Sequence, residues 1–79
     1  GGGEWPGVTD KRFKGKVKSF NRRRGYGFIE CKELHDLTGY DTFTHHEQMG
    51  DFTPGDRVSF DVILSRLHQP QAVRLILEA

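Results

Sequence analysis

The chain has 79 residues with 34% hydrophobic side chains, ten glycines and three prolines, and its formal net charge is +1. This length suits one domain around one small core, and the many turn-forming residues favour a small all-β domain over a helix bundle. Cys31 is the only cysteine, which excludes an internal disulfide and a metal cluster built from cysteines. Because no run of 18 apolar residues and no signal-peptide pattern occurs, we expect a soluble domain without membrane contact. We also expect a monomer, located in the cytoplasm or the nucleus.

The small net charge conceals an uneven distribution of bases and acids along the chain. Residues 11–29 contain eight of the twelve Lys and Arg residues and no acid, whereas residues 30–79 contain four bases and nine acids. Such asymmetry predicts that the basic stretch faces an anionic partner, although a solvated surface would also account for it.

The start of the chain, GGGEWPGVTD, is rich in glycine and acidic. This composition predicts a flexible arm over residues 1–12 and a folded domain over residues 13–79. The alternative is that Trp5 docks on the domain.

Residues 13–29 have the pattern of two strands joined by a polar turn. Lysines recur at every second position from Lys14 to Lys18, which is the spacing of one strand face. GYGFI at 25–29 predicts the second strand, and there Tyr26 and Phe28 share one face because successive side chains point to opposite faces. Aromatic side chains beside glycines and bases are typical of a surface on which nucleic-acid bases stack.

The second half of the chain predicts three more strands. They cover residues 41–45, 58–62 and 72–77, and Val73, Leu75 and Leu77 of the last one share a face. One helical turn is possible in the connection at 31–40. Five short strands at this spacing suit a small closed barrel, which removes exposed sheet edges.

Three side chains of the second half carry specific expectations about the core. Thr44 faces inward, so its hydroxyl needs a hydrogen-bond partner. Met49 is expected to fill the end of the core. Phe52 is either a core residue or an aromatic that contacts ligand.

Several short motifs, in this order, closely resemble the cold-shock domain family. The resemblance rests on KVKSFN at 16–21, GYGFI at 25–29, DTFTH at 41–45, PGD at 54–56 and PQA at 70–72. GYGFI and DTFTH resemble the first and second RNP motifs, and the match covers about residues 13–75. The resemblance implies a five-stranded antiparallel barrel of the OB-fold type. It also implies binding of single-stranded RNA or DNA with low sequence specificity, in an RNA-chaperone or RNA-regulatory role.

The candidate site combines aromatic rings that can stack on nucleobases with lysine and arginine side chains that can bind phosphates. Tyr26, Phe28 and Phe43 are expected on one face of adjacent strands, and they match the stacking aromatics of the family. The resemblance assigns further contacts to Lys18, Phe20, Arg24, Asp41, His45, His46 and His68. Asp41 would accept hydrogen bonds from a base edge or else cap the strand. Lys16, Arg22 and Arg23 are more general phosphate contacts.

This sequence departs from the family pattern at Ser19 and in the segment 31–40. The family has a large stacking aromatic, usually tryptophan, where Ser19 stands, and its connection is shorter than 31–40. The loss of one stack would weaken binding roughly tenfold or more, and it also weakens the pyrimidine preference that the family implies. A competing interpretation follows, in which the barrel is a degenerate cold-shock domain that binds protein.

Other chemistries receive little support from the sequence. Adjacent histidines on a strand point to opposite faces, so Cys31, His35, His45 and His46 are not expected to form a metal site. The combination of Ser19, Asp41 and His45 lacks any activating motif, and no phosphate-loop or dinucleotide motif occurs. We therefore expect neither enzymatic activity nor a cofactor.

Overall fold

A computed structural model describes residues 3–78, in which five strands form a closed barrel. Its elements are β1 (Arg12–Asn21), β2 (Tyr26–Glu30), α1 (Lys32–Thr38), β3 (Thr42–His45), α2 (His46–Met49), β4 (Arg57–Leu64) and β5 (Pro70–Leu77). The order around the barrel is β1-β2-β3-β5-β4, which confirms the predicted five-stranded barrel. Four neighbouring pairs are antiparallel as expected, whereas β3 and β5 pair in parallel. No helix within residues 3–78 has the length and apolar character needed to cross a membrane.

The core forms without the aromatic side chains of the candidate site. Phe13 and Phe60 are fully buried and stack with their ring centroids 6.3 Å apart. Burial of each such side chain contributes about 1.5–3 kcal/mol. The rest of the buried cluster consists of Val8, Val17, Ile29, Cys31, Leu34, Met49, Val58, Val62 and Ala72. Tyr26, Phe28 and Phe43 are outside this cluster, so the hydrophobic effect does not hold them in the interior.

A β-bulge in β1 changes which side chains of this strand face outward. Val17 pairs with Ile29, but the next pair is Ser19 with Phe28, so Lys18 is an extra residue in β1. Lys18 and Ser19 are therefore both exposed, and Phe20 turns toward the core.

The inner face of β2 leaves no room for a side chain at Gly27. A Cβ atom there would lie 2.5 Å from the backbone oxygen of Ser19 and 2.9 Å from Cε of Met49. It would also lie 3.0 Å from Cδ1 of Phe20. Glycine thus lets Phe20 and Met49 pack beneath β2, while the neighbouring rings of this strand stay on the outer face.

The connection at 31–40 is a helix of two turns, longer than the single turn expected. Leu34 of α1 is fully buried, which anchors the helix to the core. The Thr38 hydroxyl donates a hydrogen bond to the Leu34 carbonyl oxygen at 2.9 Å. The helix ends at Thr38 and is capped by Gly39, which adopts φ 78° and donates its N–H to the His35 carbonyl oxygen at 2.7 Å.

The second helix and the turn that follows it bring Met49 and Phe52 to the barrel. Met49 is 1% exposed, which confirms its role as a core residue. Phe52 is half-buried and packs against the core cluster, as in the first of its two interpretations.

Thr44 has the hydrogen-bond partner that its inward position requires. It is fully buried, and its hydroxyl donates to the Ala72 carbonyl oxygen at 3.1 Å. A buried hydroxyl without such a partner would destabilise the fold, so this bond compensates for the polar side chain on β3.

A second register shift, in the pairing of β4 with β5, changes which side chains of β5 share a face. The register shifts opposite Ser59 and Asp61, and Arg74 adopts φ 53°. Val73 pairs with Asp61 and Leu77 pairs with Val58, and these two residues of β4 are on opposite faces, so the prediction that Val73 and Leu77 share a face is wrong. Arg74 donates from its backbone N–H to the side chain of Gln48 and from Nε to Asp61. The hydrogen bond from Arg74 lowers the pKa of Asp61.

The described part of the expected arm packs against the barrel. Val8 is 1% exposed and belongs to the core cluster, and Trp5 packs against that cluster. Trp5 also stacks on His68, with ring centroids 5.6 Å apart and an interplanar angle of 16°. These contacts correspond to the docked alternative rather than to a free arm, because apolar burial outweighs the glycine content. Gly1, Gly2 and Ala79 lie outside the described residues.

We expect Val8→Ala to lower the free energy of unfolding by about 1–3 kcal/mol, because two buried methyl groups are lost. Urea denaturation followed by circular dichroism measures this change. Leu67→Ala is the matched control, since Leu67 is 76% exposed and should stay within about 0.5 kcal/mol of the original chain. Equal stability of the Val8 and Leu67 variants would show that the arm is not part of the core.

We expect Gly27→Ala to destabilise the domain by about 1–3 kcal/mol, because the new methyl group overpacks the contact between β1 and β2. The same denaturation measurement tests it. An unchanged unfolding midpoint would contradict the close approach of Ser19 to Gly27.

Candidate nucleic-acid interface

Side chains of β2 and β3 build an aromatic platform, consisting of Tyr26, Phe28, Phe43 and His45, on the outer face of the barrel. Phe28 pairs with Phe43, and Tyr26 pairs with His45. The rings of Tyr26 and Phe28 meet edge to face, with centroids 5.7 Å apart. The structure therefore brings together the three predicted stacking aromatics and the predicted histidine.

The platform lines a groove of about 500 Å³, which we call the platform groove. Its other lining residues are Arg24, Gly25, Tyr40, Asp41 and Gln69. Tyr26, Phe28 and Phe43 are half-buried and His45 is exposed, so each presents part of its ring to solvent. Flat, partly exposed rings of this kind can stack on nucleic-acid bases at about 1–3 kcal/mol for each base.

Among residues 3–78, no acid forms an ion pair with the lysines and arginines of the candidate site. Ion pairs join Lys11 to Glu33, Arg12 and Arg74 to Asp61, Lys14 to Glu78, and Lys32 to Asp36. Within residues 3–78, no acid pairs with Lys16, Lys18, Arg22, Arg23 or Arg24. Arg57 and Arg66 are likewise without an ion pair in that part of the chain. The positive charge of Lys16, Lys18 and the arginines of the turn is thus available to an external anion.

Local hydrogen bonds fix the turn that carries three of these basic residues, Arg22, Arg23 and Arg24. The side chain of Asn21 accepts a hydrogen bond from the Arg24 N–H at 3.0 Å, and its carbonyl oxygen accepts one from the Gly25 N–H at 2.9 Å. Gly25 adopts φ 78°, a conformation that favours glycine. All three arginines are exposed, and Cζ of Arg22 lies 6.0 Å from the Phe20 ring centroid.

The two adjacent histidines lie side by side, contrary to the strand argument. β3 ends at His45 and α2 begins at His46, so the alternation of a strand does not extend across them. Their ring centroids are 4.6 Å apart, and the backbone N–H of His46 donates to the Gly25 carbonyl oxygen. Ligand atoms of His45, His46 and Glu47 lie within 4.8 Å of one another, so these exposed residues could hold a metal ion. Cys31 and His35 are not part of this group.

Seven predicted site residues do not line the platform groove, namely Lys16, Lys18, Phe20, Arg22, Arg23, His46 and His68. Three of these have other surroundings. Phe20 is half-buried against the core beside Met49. Lys16 lines a separate depression between β1, β2 and α1. His68 stacks on Trp5 in the loop between β4 and β5.

A second cavity, which we call the side cavity, lies between α1 and the strands β1, β2 and β3. Its volume is about 410 Å³, and its lining residues are Lys18, Ser19, Phe28, Ile29, Glu30, Cys31, Lys32, His35, Asp41 and Thr42. Phe28 and Asp41 line both this cavity and the platform groove. The two cavities are therefore adjacent.

The groups that line the side cavity differ in how readily they can engage a ligand. Burial raises the pKa of the Cys31 thiol, which therefore stays protonated near neutral pH. The hydrogen bond between Lys32 and Asp36 raises the pKa of Lys32 and lowers that of Asp36. Asp41 makes no side-chain hydrogen bond or ion pair with any residue from 3 to 78.

Sequence reasoning did not assign ten of the residues that line these two cavities to the site, and His35, Tyr40 and Gln69 are among them. His35 and Tyr40 belong to the segment that departs from the family pattern, so no motif marks them. Gln69 directly precedes the PQA motif at 70–72, and this position was the one sequence feature that could have pointed to it as a site residue.

Comparisons with known proteins agree with this geometry. The family model of the 'Cold-shock' DNA-binding domain matches residues 13–77. Among curated proteins, cold shock protein CspB of Geobacillus stearothermophilus and that of Bacillus caldolyticus are each 35% identical over 63 residues. Each match covers 80% of this chain and 94% of the relative. A solved structure, drosophila Unr CSD456, is similar with a TM-score of 0.64 and 25% identity. That match covers 87% of this chain and 27% of the other.

The family match extends over nearly the whole barrel, from the second residue of β1 to the end of β5. It includes both strands of the aromatic platform and the basic turn between β1 and β2. The chain therefore belongs to the cold-shock domain family, whose members are nucleic-acid-binding domains.

Proposed function

We propose that this domain binds single-stranded RNA or DNA with low sequence specificity, as a monomer. The observation that supports it best is the position of the platform next to lysine and arginine side chains that have no acidic partner among residues 3–78. Nucleobases of the bound RNA or DNA stack on Tyr26, Phe28, Phe43 and His45. Its phosphates are neutralised by Lys18 and by Arg22–Arg24.

Low sequence specificity follows from the kind of contact that the platform offers. Every base has a π face, so a ring accepts any of them, and phosphate contacts carry no direct sequence information. We propose an RNA-chaperone or RNA-regulatory role on the same grounds, because a strand held on the platform cannot fold back onto itself. The chemistry at this face is binding without a catalytic step.

A pyrimidine preference is part of the proposal because the family implies it. Ser19 removes one stacking ring from the row of Phe28 and Phe43, so this preference is expected to be weak. Titration with matched pyrimidine and purine tracts measures it, and equal or tighter binding to purines would remove it.

The direct test is a backbone amide shift titration with a short single strand at low and at high salt. We expect the largest shifts at Lys18, Tyr26, Phe28, Phe43 and His45, and we expect them to fade as salt increases. Absence of shifts at low salt would reject nucleic-acid binding and favour a barrel that binds protein.

Phe43→Ala should weaken binding to a single strand about 5- to 100-fold, because one base loses its stacking partner. The fold should be retained, since Phe43 is outside the core cluster. Fluorescence anisotropy with a labelled oligonucleotide measures the effect. Ile76→Ala is the matched control, because Ile76 is 57% exposed and lines neither cavity. Similar affinities of the two variants would argue against the platform.

Neutralising the turn should reduce the salt dependence of binding. In the double variant Arg23→Gln with Arg24→Gln, the slope of log K against log salt should fall by about 0.7 for each lost phosphate contact. The control is Lys11→Gln with Lys14→Gln, which changes the net charge equally but removes lysines that already pair with acids. Equal slopes in the two double variants would contradict a specific role of the turn.

A further inference from the structure

We propose that the side cavity is a nucleobase pocket that selects guanine. This rests on the proposed function and adds one base-specific position to a strand that is otherwise bound by stacking. The segment that departs from the family pattern, together with Ser19, creates this pocket.

The position of the side cavity continues the row of stacking residues across the sheet. Ser19 of β1 pairs with Phe28 of β2, and Phe28 pairs with Phe43 of β3. Neighbouring strands are about 4.8 Å apart, so Ser19 stands one strand beyond the last ring of the platform. A single-stranded nucleic acid whose nucleobases stack on Phe43 and Phe28 therefore directs its next nucleobase toward the side cavity.

A small side chain and a fixed wall keep the cavity open. Serine fills little of the space beside Phe28, and the bulge at Lys18 leaves both Lys18 and Ser19 exposed. On the opposite side, α1 is anchored by the fully buried Leu34 and contributes His35 to the lining. The resulting volume of about 410 Å³ lies in the range of about 300–1,000 Å³ that is usual for small-ligand sites.

The polar groups of the cavity favour guanine over the other bases. A carboxylate only accepts hydrogen bonds, and its two oxygens fit two neighbouring donors. Asp41 has a carboxylate of this kind that no side chain within residues 3–78 engages. Guanine presents N1–H and N2–H as adjacent donors, whereas cytosine and adenine present one amino group and uracil one imino group. The Lys18 ammonium and the His35 imidazole can donate to the guanine O6 and N7 acceptors.

Guanine-scanned oligonucleotides test the pocket. The probes are a seven-nucleotide uridine tract and versions with a single guanosine, adenosine or cytidine at each position. Fluorescence anisotropy at one fixed salt concentration gives each Kd. We expect guanosine at one position to tighten binding roughly tenfold relative to uridine, as for one bidentate base contact, without a similar gain for adenosine or cytidine.

Two variants connect this preference to the side cavity. Ser19→Trp fills the cavity with a ring, so it should tighten binding to the uridine tract and abolish the guanosine gain. Asp41→Asn replaces one acceptor oxygen by a donor and should also abolish the gain. Leu37→Ala is the control on α1, because Leu37 is 50% exposed and lines neither cavity, and it should retain the gain.

The outcomes separate this pocket from the proposed function. Binding to the uridine tract without a guanosine gain at any position would overturn the pocket and leave the platform supported. A gain that persists in both Ser19→Trp and Asp41→Asn would place guanine recognition elsewhere and would also overturn it. Absence of binding to every probe would reject the proposed function and the pocket together.

Discussion

The close contact of β1 with β2 at Gly27 is the constraint on which the binding face depends. Because no side chain lies on the inner face there, Phe20 and Met49 reach the space beneath β2 and the core closes. The outward aromatic side chains are not part of the buried core cluster, and Tyr26 and Phe28 remain partly exposed at the surface. A larger residue at position 27 would push β1 away from β2. It would therefore lower the stability of the barrel and displace the platform side chains at the same time.

The distribution of ion pairs gives this face its charge. Acids compensate most of the bases elsewhere on the barrel, and Asp61 alone engages both Arg12 and Arg74. Surface pairs of this kind contribute little stability, about 0–1 kcal/mol each. Within residues 3–78 the arginines of the turn have no acidic partner, so their positive charge would be open to a phosphate, an attraction that salt screens.

Under the proposed guanine pocket, the departure from the family at Ser19 would change the kind of recognition as well as its strength. Loss of a ring removes one stack, but it also opens a cavity whose wall is the inserted helix α1. Stacking accepts any base, whereas a cavity with directed polar groups can reject those that do not fit. The proposed guanine pocket would thus exchange part of the general affinity for selectivity at one position.

The sequence by itself determined the elements that depend on neighbouring residues. Period-two alternation placed Tyr26 and Phe28 on one face and Thr44 in the core, and the motif order identified the barrel. Only the tertiary structure decided the bulge at Lys18, the docking of Val8, and the cavity beside Ser19. These features depend on contacts between residues far apart in the chain, and local periodicity carries no information about which distant partner a side chain meets.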